Sequence, residues 1–217
     1  MDIITDLDKL DERCDEVDTI KEAREVRETV LALKNEIRSR GLKALSAPLI
    51  GNNKRIFVVN FSGDLRSFVN PIITKAEGIV LSREKCEALP GKEFIRIRNT
   101  SVDVTYQTPI GKIESRRFVG LAATTVQHEI DHLDGILLSD IGLEVDSNFD
   151  DMTDEERRKI IDMYLDSIDL RAKDARKMID EDPELQQTEK AIEFMTKVQT
   201  GEVTLSNDTV SKKKTNS

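Results

Sequence analysis

The stretch Gln127-His-Glu-Ile-Asp-His132 holds both histidines of this 217-residue chain. Four positions separate the histidines, and on an α-helix that spacing places both imidazoles on one face, one turn apart. Two imidazoles so placed can bind one metal ion, and the glutamate between them can handle the protons of a bound water. The pattern therefore predicts a metal-dependent hydrolase. The alternative is a pair of solvated surface histidines, because an H-E-x-x-H match can also arise by chance.

The residues around this stretch predict a buried helix over 119–134, with Gly135 as its stop. Small or apolar side chains lie around much of the helix circumference, at Leu121, Ala122, Ala123, Val126, Ile130 and Leu133. A helix that is apolar on most sides is usually buried. Since a buried imidazole must find a partner, burial favours the metal interpretation.

Composition excludes several classes of function. The net charge of −9 argues against a nucleic-acid surface, which needs clustered Lys and Arg. No apolar run approaches the length of a membrane span, and the first residues lack the basic start of a signal peptide. Two cysteines are too few for a disulfide framework. We therefore expect a cytoplasmic protein without nucleic-acid or membrane partners, in a reducing compartment where a thiolate can bind metal.

Hydrophobic periodicity predicts the other elements. Residues 16–40 form an amphipathic pattern, with apolar side chains from Ile20 to Ile37 at three- and four-residue spacing, and Gly41 is placed to end the helix. Strand-like segments follow at 55–60, 67–73, 93–98, 101–106 and 113–118. The turn at 109–112 joins the last two in a predicted hairpin.

The composition changes after residue 140. An acidic linker over 146–154 leads to the capping-box pattern Thr153-Asp-Glu-Glu156, which opens a helix to about residue 177 with Met163 and Tyr164 among its apolar positions. Pro183 can start another helix, to about Val198. We predict a metal-hydrolase domain over 1–148, a helical extension over 149–200 and a disordered tail over 201–217.

The residues alone leave the third metal ligand open. A catalytic metal site usually has three protein ligands and one open position for water. Cys14, Cys86 and many carboxylates are candidates. Cys14 lies in a segment that looks exposed, which favours an incidental thiol. Cys86 lies between two strand-like regions and can reach a central helix, although a cysteine there is more often a small buried hydrophobe.

Three segments, in order, resemble the peptide deformylases. Gln127–Gly135 fits the family's H-E-x-D-H helix. Glu84–Gly91 (EKCEALPG) is similar to its E-G-C-L-S segment with the following Pro-Gly. Ala44-Leu-Ser-Ala-Pro-Leu-Ile-Gly51 is similar to its G-L-A-A-P-Q-I-G segment. The resemblance covers about residues 15–145. It implies an α+β fold with antiparallel β-sheets around a central helix that carries the H-E-x-x-H motif.

The resemblance also implies a site and an activity. Cys86, His128 and His132 would hold one divalent metal ion, with Fe2+ as the native ion and Zn2+, Ni2+ or Co2+ as others that can occupy the site. Glu129 would be the general acid/base. The family removes the formyl group from the N-terminal formyl-methionine of new bacterial-type polypeptides. The implied partners are therefore an N-formylated peptide or nascent chain, with the ribosome as a candidate.

The chain departs from the family in the residues that stabilise the oxyanion. Leu49 occupies the position of a glutamine whose side chain donates a hydrogen bond to the formyl oxygen. The second family donor is the backbone N–H of the residue after the metal cysteine, here Glu87, and a side-chain change does not remove it. Losing one such donor typically costs roughly a hundred- to a thousandfold in kcat. We therefore expect a slow enzyme, or one with a different acyl preference.

Further departures surround the expected substrate groove. Ala44 and Lys85 each replace a glycine, and Glu87 replaces an apolar residue, so charge is added at the groove edge. We expect Lys85 to point to solvent. Arg98 is the expected structural partner of Glu84.

Asp131 and Asp134 are expected to support the ligands or the end of the helix. The whole pattern leaves two readings: an active deformylase-type hydrolase, favoured by the intact Glu129, or a non-catalytic metal-stabilised relative that binds peptides or another partner.

Overall fold

The structure is a computed structural model that describes residues 2–146 and 148–181, with side chains described to residue 169. Its described part is an α+β fold. The helices are α1 (Ala23–Arg40), α2 (Leu121–Leu133), α3 (Leu138–Ile141) and α4 (Asp154–Glu181). The strands are β1 (Ala44–Ser46), β2 (Ile56–Phe61), β3 (Asp64–Glu77), β4 (Val80–Glu84), β5 (Glu93–Arg98), β6 (Ser101–Gln107), β7 (Ile113–Val119) and β8 (Leu143–Val145).

The strands form two antiparallel sheets. One has five strands in the order β1-β2-β3-β6-β7, and the other has three in the order β4-β5-β8. β6 and β7 pair in register from Ser101 opposite Val119 to Gln107 opposite Ile113, which confirms the predicted hairpin. The five predicted strand segments all lie in observed strands. β1, β4 and β8 were not predicted, because runs of three to five residues carry too little alternation to register as a pattern.

Helix α2 is buried as predicted and contacts β1, β2 and β7. Ala123, Val126 and Leu133 are fully buried and belong to one apolar cluster with Phe57 and Phe68 of the five-stranded sheet. Burial of a Val, Leu or Phe side chain, as at Val126 and Leu133, stabilises the fold by about 1.5–3 kcal/mol. The packing therefore fixes which face of α2 is left for the polar residues of the motif.

The end of α2 is held by the chain before α1 and by Arg55, which comes just before β2. The Cys14 backbone N–H donates to the Leu133 carbonyl oxygen at 2.8 Å, and Arg55 donates to the same oxygen at 3.0 Å and to Asp134 at 2.7 Å. These bonds satisfy carbonyl groups that a helix end leaves unpaired. Gly135 follows with φ +72°, and a Cβ there would lie 2.8 Å from the Asp11 carbonyl oxygen. The prediction that Asp134 and Gly135 serve the helix end is confirmed.

Two predictions near the start of the chain are wrong. α1 begins at Ala23 and not at residue 16, and Ile20 is 85% exposed in the turn before it. Cys14 is 3% exposed, although its polar neighbours suggested an exposed segment, because the backbone contact with Leu133 draws it into the core. The predicted end of α1 is confirmed, since Gly41 caps it in the left-handed conformation.

Helix α4 begins after the predicted capping box, in which the Glu156 N–H donates to Thr153 Oγ1 and the Thr153 N–H donates back to the Glu156 carboxylate. Tyr164 is buried and its hydroxyl donates to the Ile141 carbonyl oxygen at 2.9 Å. Met163, predicted as an apolar contact, is 72% exposed. The predicted second helix at 183–198 and the predicted tail at 201–217 lie outside the described residues. None of the described helices is both long and apolar enough to span a membrane.

Candidate metal centre

Three potential metal ligands meet between the two sheets. Cys86 follows the end of β4, and α2 presents His128 and His132 on one face. Cys86 Sγ lies 3.1 Å from His132 Nε2, and ligand atoms of all three residues lie within 4.8 Å of one another. The two imidazole centroids are 4.9 Å apart. The structure thus brings together the three residues that the sequence suggested as ligands.

The charge on the Cys86 sulfur suits a divalent cation. Burial alone would raise the pKa of the Cys86 thiol, but His132 and His128 outweigh burial and lower the pKa to about 5. The thiolate is the form that binds metal. His128 Nδ1 lies 2.9 Å from Glu84 Oε2. Since an ionised carboxylate only accepts, Nδ1 carries a proton. Burial lowers the pKa of His128, but Cys86 and Glu84 outweigh burial and raise it to about 10, so that an ion would take the place of the proton on Nε2.

One thiolate and two imidazoles form a donor set for Fe2+, Zn2+, Ni2+ or Co2+ rather than for Ca2+ or Mg2+, which prefer oxygen. His132 Nδ1 is buried and has no hydrogen-bond partner among the described residues, while its Nε2 faces the Cys86 sulfur. The residues present therefore fit a metal ion held by one sulfur and two nitrogen atoms.

A buried charge network supports the His128 ligand. Glu84 receives two hydrogen bonds from Arg98, at 2.7 and 2.8 Å, and Arg98 also donates to Asp131 at 2.5 Å. Arg96 contacts Asp131 as well. Burial raises the Glu84 pKa, but Arg98 and His128 outweigh burial and hold the pKa well below its usual range. An ionised Glu84 fixes the orientation of the His128 ring.

The sequence predicted the Glu84–Arg98 pair but missed the role of Arg96. A signal for it exists, because Arg96 and Arg98 share one face of β5 among apolar residues. Charged residues on a strand that is buried on both faces need buried partners. Asp131, expected only as a supporting group, is the partner that joins both arginines.

Glu129 lies on the same helix with its side chain buried. Burial raises its pKa, whereas the nearby His128 and His132 favour the ionised form. Its Oε2 atom has no hydrogen-bond partner among the described residues. A buried carboxyl with a raised pKa, next to two imidazoles, is suited to accept and release a proton.

The other expected site residues lie at the wall and rim. Leu49 lies in the short helical turn Ala47–Ile50, is 2% exposed and belongs to the same apolar cluster as Cys86. Ala44 is half-buried in β1. Glu87 and Lys85 are exposed, and Lys85 Nζ points to solvent, 4.0 Å from Glu93 Oε1.

Antiparallel sheets around a buried H-E-x-x-H helix, with a cysteine beside the two histidines, define a metal-binding class of protein. A sequence model of polypeptide deformylase matches residues 2–145, and the chain belongs to that family. The predicted family is confirmed.

Curated relatives agree with this assignment. The chain is 37% identical to the peptide deformylase of Dictyoglomus turgidum over 100 residues, which cover 46% of this chain and 65% of the relative. It is 44% identical to that of Thermodesulfovibrio yellowstonii over 101 residues, which cover 44% of this chain and 61% of the relative. The chain thus spans less than two thirds of the length of these relatives.

Solved structures match over a larger share of their own length. The class I type b peptide deformylase from Acinetobacter baumannii bound to K3U superposes with a TM-score of 0.61 at 25% identity, over 64% of this chain and 96% of that one. The peptide deformylase from Thermotoga maritima gives 0.59 at 26% identity, over 64% and 94%. These likenesses confirm the predicted fold class.

Proposed function

We propose that this protein is a metal-dependent amide hydrolase that removes the N-formyl group from formyl-methionyl peptides. Cys86, His128 and His132 bind one divalent ion, with Fe2+ as the native metal. Glu129 is the general acid/base. The observation that carries the proposal is the meeting of a buried thiolate and two imidazoles beside a buried carboxyl with a raised pKa.

A divalent ion, when bound, lowers the pKa of water and polarises a carbonyl oxygen. The chain's own residues do the rest. Glu129 takes a proton from the attacking water and passes it to the leaving amine. The backbone N–H of Glu87 donates to the formyl oxygen as negative charge develops on it. Glu84 holds His128, so that the imidazole keeps one orientation through the reaction.

Leu49 makes the expected rate low. Its side chain cannot donate a hydrogen bond, and it is packed in an apolar cluster rather than turned to solvent. The same packing favours an altered acyl preference, because Leu49 then forms an apolar wall for a larger group. Ala44 and Lys85 complete the proposed substrate groove.

The proposed substrates are N-formylated peptides or nascent chains in the cytoplasm, with the ribosome as a candidate partner. The exposed charges of Lys85 and Glu87 support a groove that is open to solvent at its edge and accepts the rest of a peptide. The second candidate, a non-catalytic peptide-binding relative, is favoured by Leu49 and by these two charges.

The direct test is a deformylation assay on formyl-methionyl peptides, with protein prepared anaerobically with Fe2+. We expect turnover by the unchanged chain and a fall in kcat of about 10²–10⁴-fold in Glu129→Ala. Full metal occupancy without turnover in the unchanged chain would instead establish the non-catalytic candidate.

A further inference from the structure

The two faces of the three-stranded sheet have different neighbours. Arg83 of β4 pairs with Ile95 of β5, and directly paired residues lie on the same face. Glu84, the next residue, lies on the opposite face, because successive side chains of a strand point to opposite sides. Glu84 contacts His128, so its face is turned to the candidate metal centre. Arg83 and Ile95 therefore lie on the face that is turned away from the centre.

The face turned away from the centre is covered by the predicted extension. Phe149, its first residue, packs with Ile95 and Val145 of the sheet in a buried cluster, and apolar side chains further along the extension lie against that cluster. Phe149 lies beyond residues 2–145, which match the deformylase family. A segment outside the family match is thus the backing layer of the sheet whose strand β4 leads to Cys86.

Arg83 joins this backing layer to β4. Its guanidinium donates two hydrogen bonds to Asp150, at 2.5 and 3.0 Å, and one to Glu93 of β5, at 2.7 Å. It also lies over the Phe149 ring, 5.9 Å from the ring centroid. A single exposed ion pair contributes little, but a guanidinium that two carboxylates hold above an aromatic ring keeps one geometry. Arg83 thus ties the end of β4 to the first two residues of the extension.

We propose that Arg83 is a positioning residue for the edge of the proposed substrate groove. Held by Asp150 and Phe149, it fixes the end of β4, and Lys85 follows two positions later at the groove edge. The substrate part of this inference rests on the proposed function, whereas the hold of the extension on β4 does not. Metal content should not depend on Arg83, because Glu84 has its own buried partner on the other face of the sheet.

Hydrogen exchange on the Zn2+-loaded full chain tests whether the extension holds β4. The test variant is Asp150→Ala, which removes the two hydrogen bonds to Arg83. The matched control is Glu144→Ala, which removes a carboxylate of similar exposure, 51% against 65%, from its ion pair with Lys92. Lys92 precedes β5 and Glu144 lies in β8, so the control leaves the contact between β4 and the extension intact.

We expect the amide hydrogens of β4 to exchange about two- to fivefold faster in Asp150→Ala than in Glu144→Ala, the factor that an exposed ion pair contributes to a local opening equilibrium. The amides of β6, in the other sheet, are the internal reference and should exchange alike in both variants. Asp150→Glu keeps the carboxylate and should match the unchanged chain. If β4 exchanges equally in Asp150→Ala and Glu144→Ala, or if β6 accelerates by the same factor as β4, the proposal is wrong.

Kinetics on substrates of two lengths test the positioning role. Formyl-methionine has no further residue to place at the groove edge, whereas a formyl-methionyl tripeptide has two. At equal metal content, Asp150→Ala should raise KM for the tripeptide about two- to fivefold with little change in kcat, and should leave both constants for formyl-methionine unchanged. A variant that impairs both substrates alike, or neither, would overturn the positioning role. An unchanged chain without turnover would refute the proposed function, while hydrogen exchange would still decide whether the extension holds β4.

Discussion

The two sides of the candidate metal centre are built differently. On one side, α2 and the β4–β5 hairpin hold His128 through a continuous set of buried ion pairs, from Glu84 to Arg98 to Asp131. On the other side, the turn Ala47–Ile50 presents Leu49, whose side chain packs in an apolar cluster. One side matches what the family resemblance implies, and the other departs from it. In the proposed function, the segment around Cys86 holds the metal and keeps one backbone donor, whereas the segment around Leu49 has lost its side-chain donor.

Physical reasons explain why the buried ion pairs are kept while Leu49 departs from the family. A buried charge needs its partner, so that changing one member of the ion-pair set leaves another charge uncompensated. Leu49 has no such dependency, because an apolar side chain of similar volume fits a turn that already packs against apolar neighbours. The fold thus tolerates the loss of a donor at Leu49 more readily than the loss of Glu84 or Arg98.

Arg98→Ala is the strongest test of the buried ion pairs on the His128 side. It leaves Glu84 and Asp131 buried with less compensating charge, and we expect a loss of about 3–5 kcal/mol in the free energy of unfolding. Urea denaturation measures it. The control is Arg117→Ala, which removes an exposed contact with Glu77 and should cost less than about 1 kcal/mol. Equal costs for the two variants would show that the buried set is not what distinguishes this side.

Truncation after residue 148 tests whether the metal ligands keep their arrangement when α4 is removed. We propose that residues 149–200 are an extension packed outside the catalytic domain. The truncated protein loses the buried Phe149 and Tyr164, and we expect its free energy of unfolding to fall by about 3 kcal/mol. Metal stoichiometry, measured by elemental analysis, should stay at one per chain. A folded truncated protein without metal would show that the extension helps to build the site.

Leu49→Gln tests the missing hydrogen-bond donor on the other side of the centre. If the only deficit is the missing donor, kcat on formyl-methionyl peptides should rise, up to about a hundredfold, or roughly 2.7 kcal/mol, with little change in KM. Steady-state kinetics measure it, with Leu49→Met as the control that keeps an apolar side chain of similar size. A parent chain already as fast as other deformylases, or a variant slower than its parent, would contradict the deficit and point to Leu49 as a wall of the acyl pocket.

Lys85→Ala should have the smallest effect. Its side chain is 74% exposed and its nearest carboxylate oxygen is 4.0 Å away, so we expect less than about 0.5 kcal/mol in the free energy of unfolding and no change in metal content. A Michaelis constant that changes only for peptides with a charged residue near the formyl end would place Lys85 in the groove.

The sequence alone predicted the parts of the fold that are set by local, periodic patterns. The period of α2, the Gly41 and Gly135 stops and the β6–β7 hairpin are all local patterns, and the structure has each of them. The start of α1 was misplaced, because Asp18 and its neighbours form a turn that extends the helical spacing by chance. The strands β1, β4 and β8 are too short to show a pattern of their own, and β8 forms by pairing with the distant β5.

The site divides in the same way. The spacing of the histidines is local and was readable, and the family resemblance supplied Cys86. The role of Arg96 and the burial of Cys14 depend on contacts between segments far apart in the chain, which no local pattern encodes. Long-range polar contacts of this protein could therefore not be predicted from the sequence alone.

The two cysteines offer the most direct test of the account, because both are buried and only one faces the histidines. Burial raises the pKa of the Cys14 thiol to about 12, whereas the histidines lower that of Cys86 to about 5. We therefore measure bound Fe2+ or Zn2+ per chain in Cys86→Ala and in Cys14→Ala, each purified anaerobically and shown to be folded. The account predicts metal loss in Cys86→Ala and one ion per chain in Cys14→Ala. Full occupancy in Cys86→Ala would contradict it.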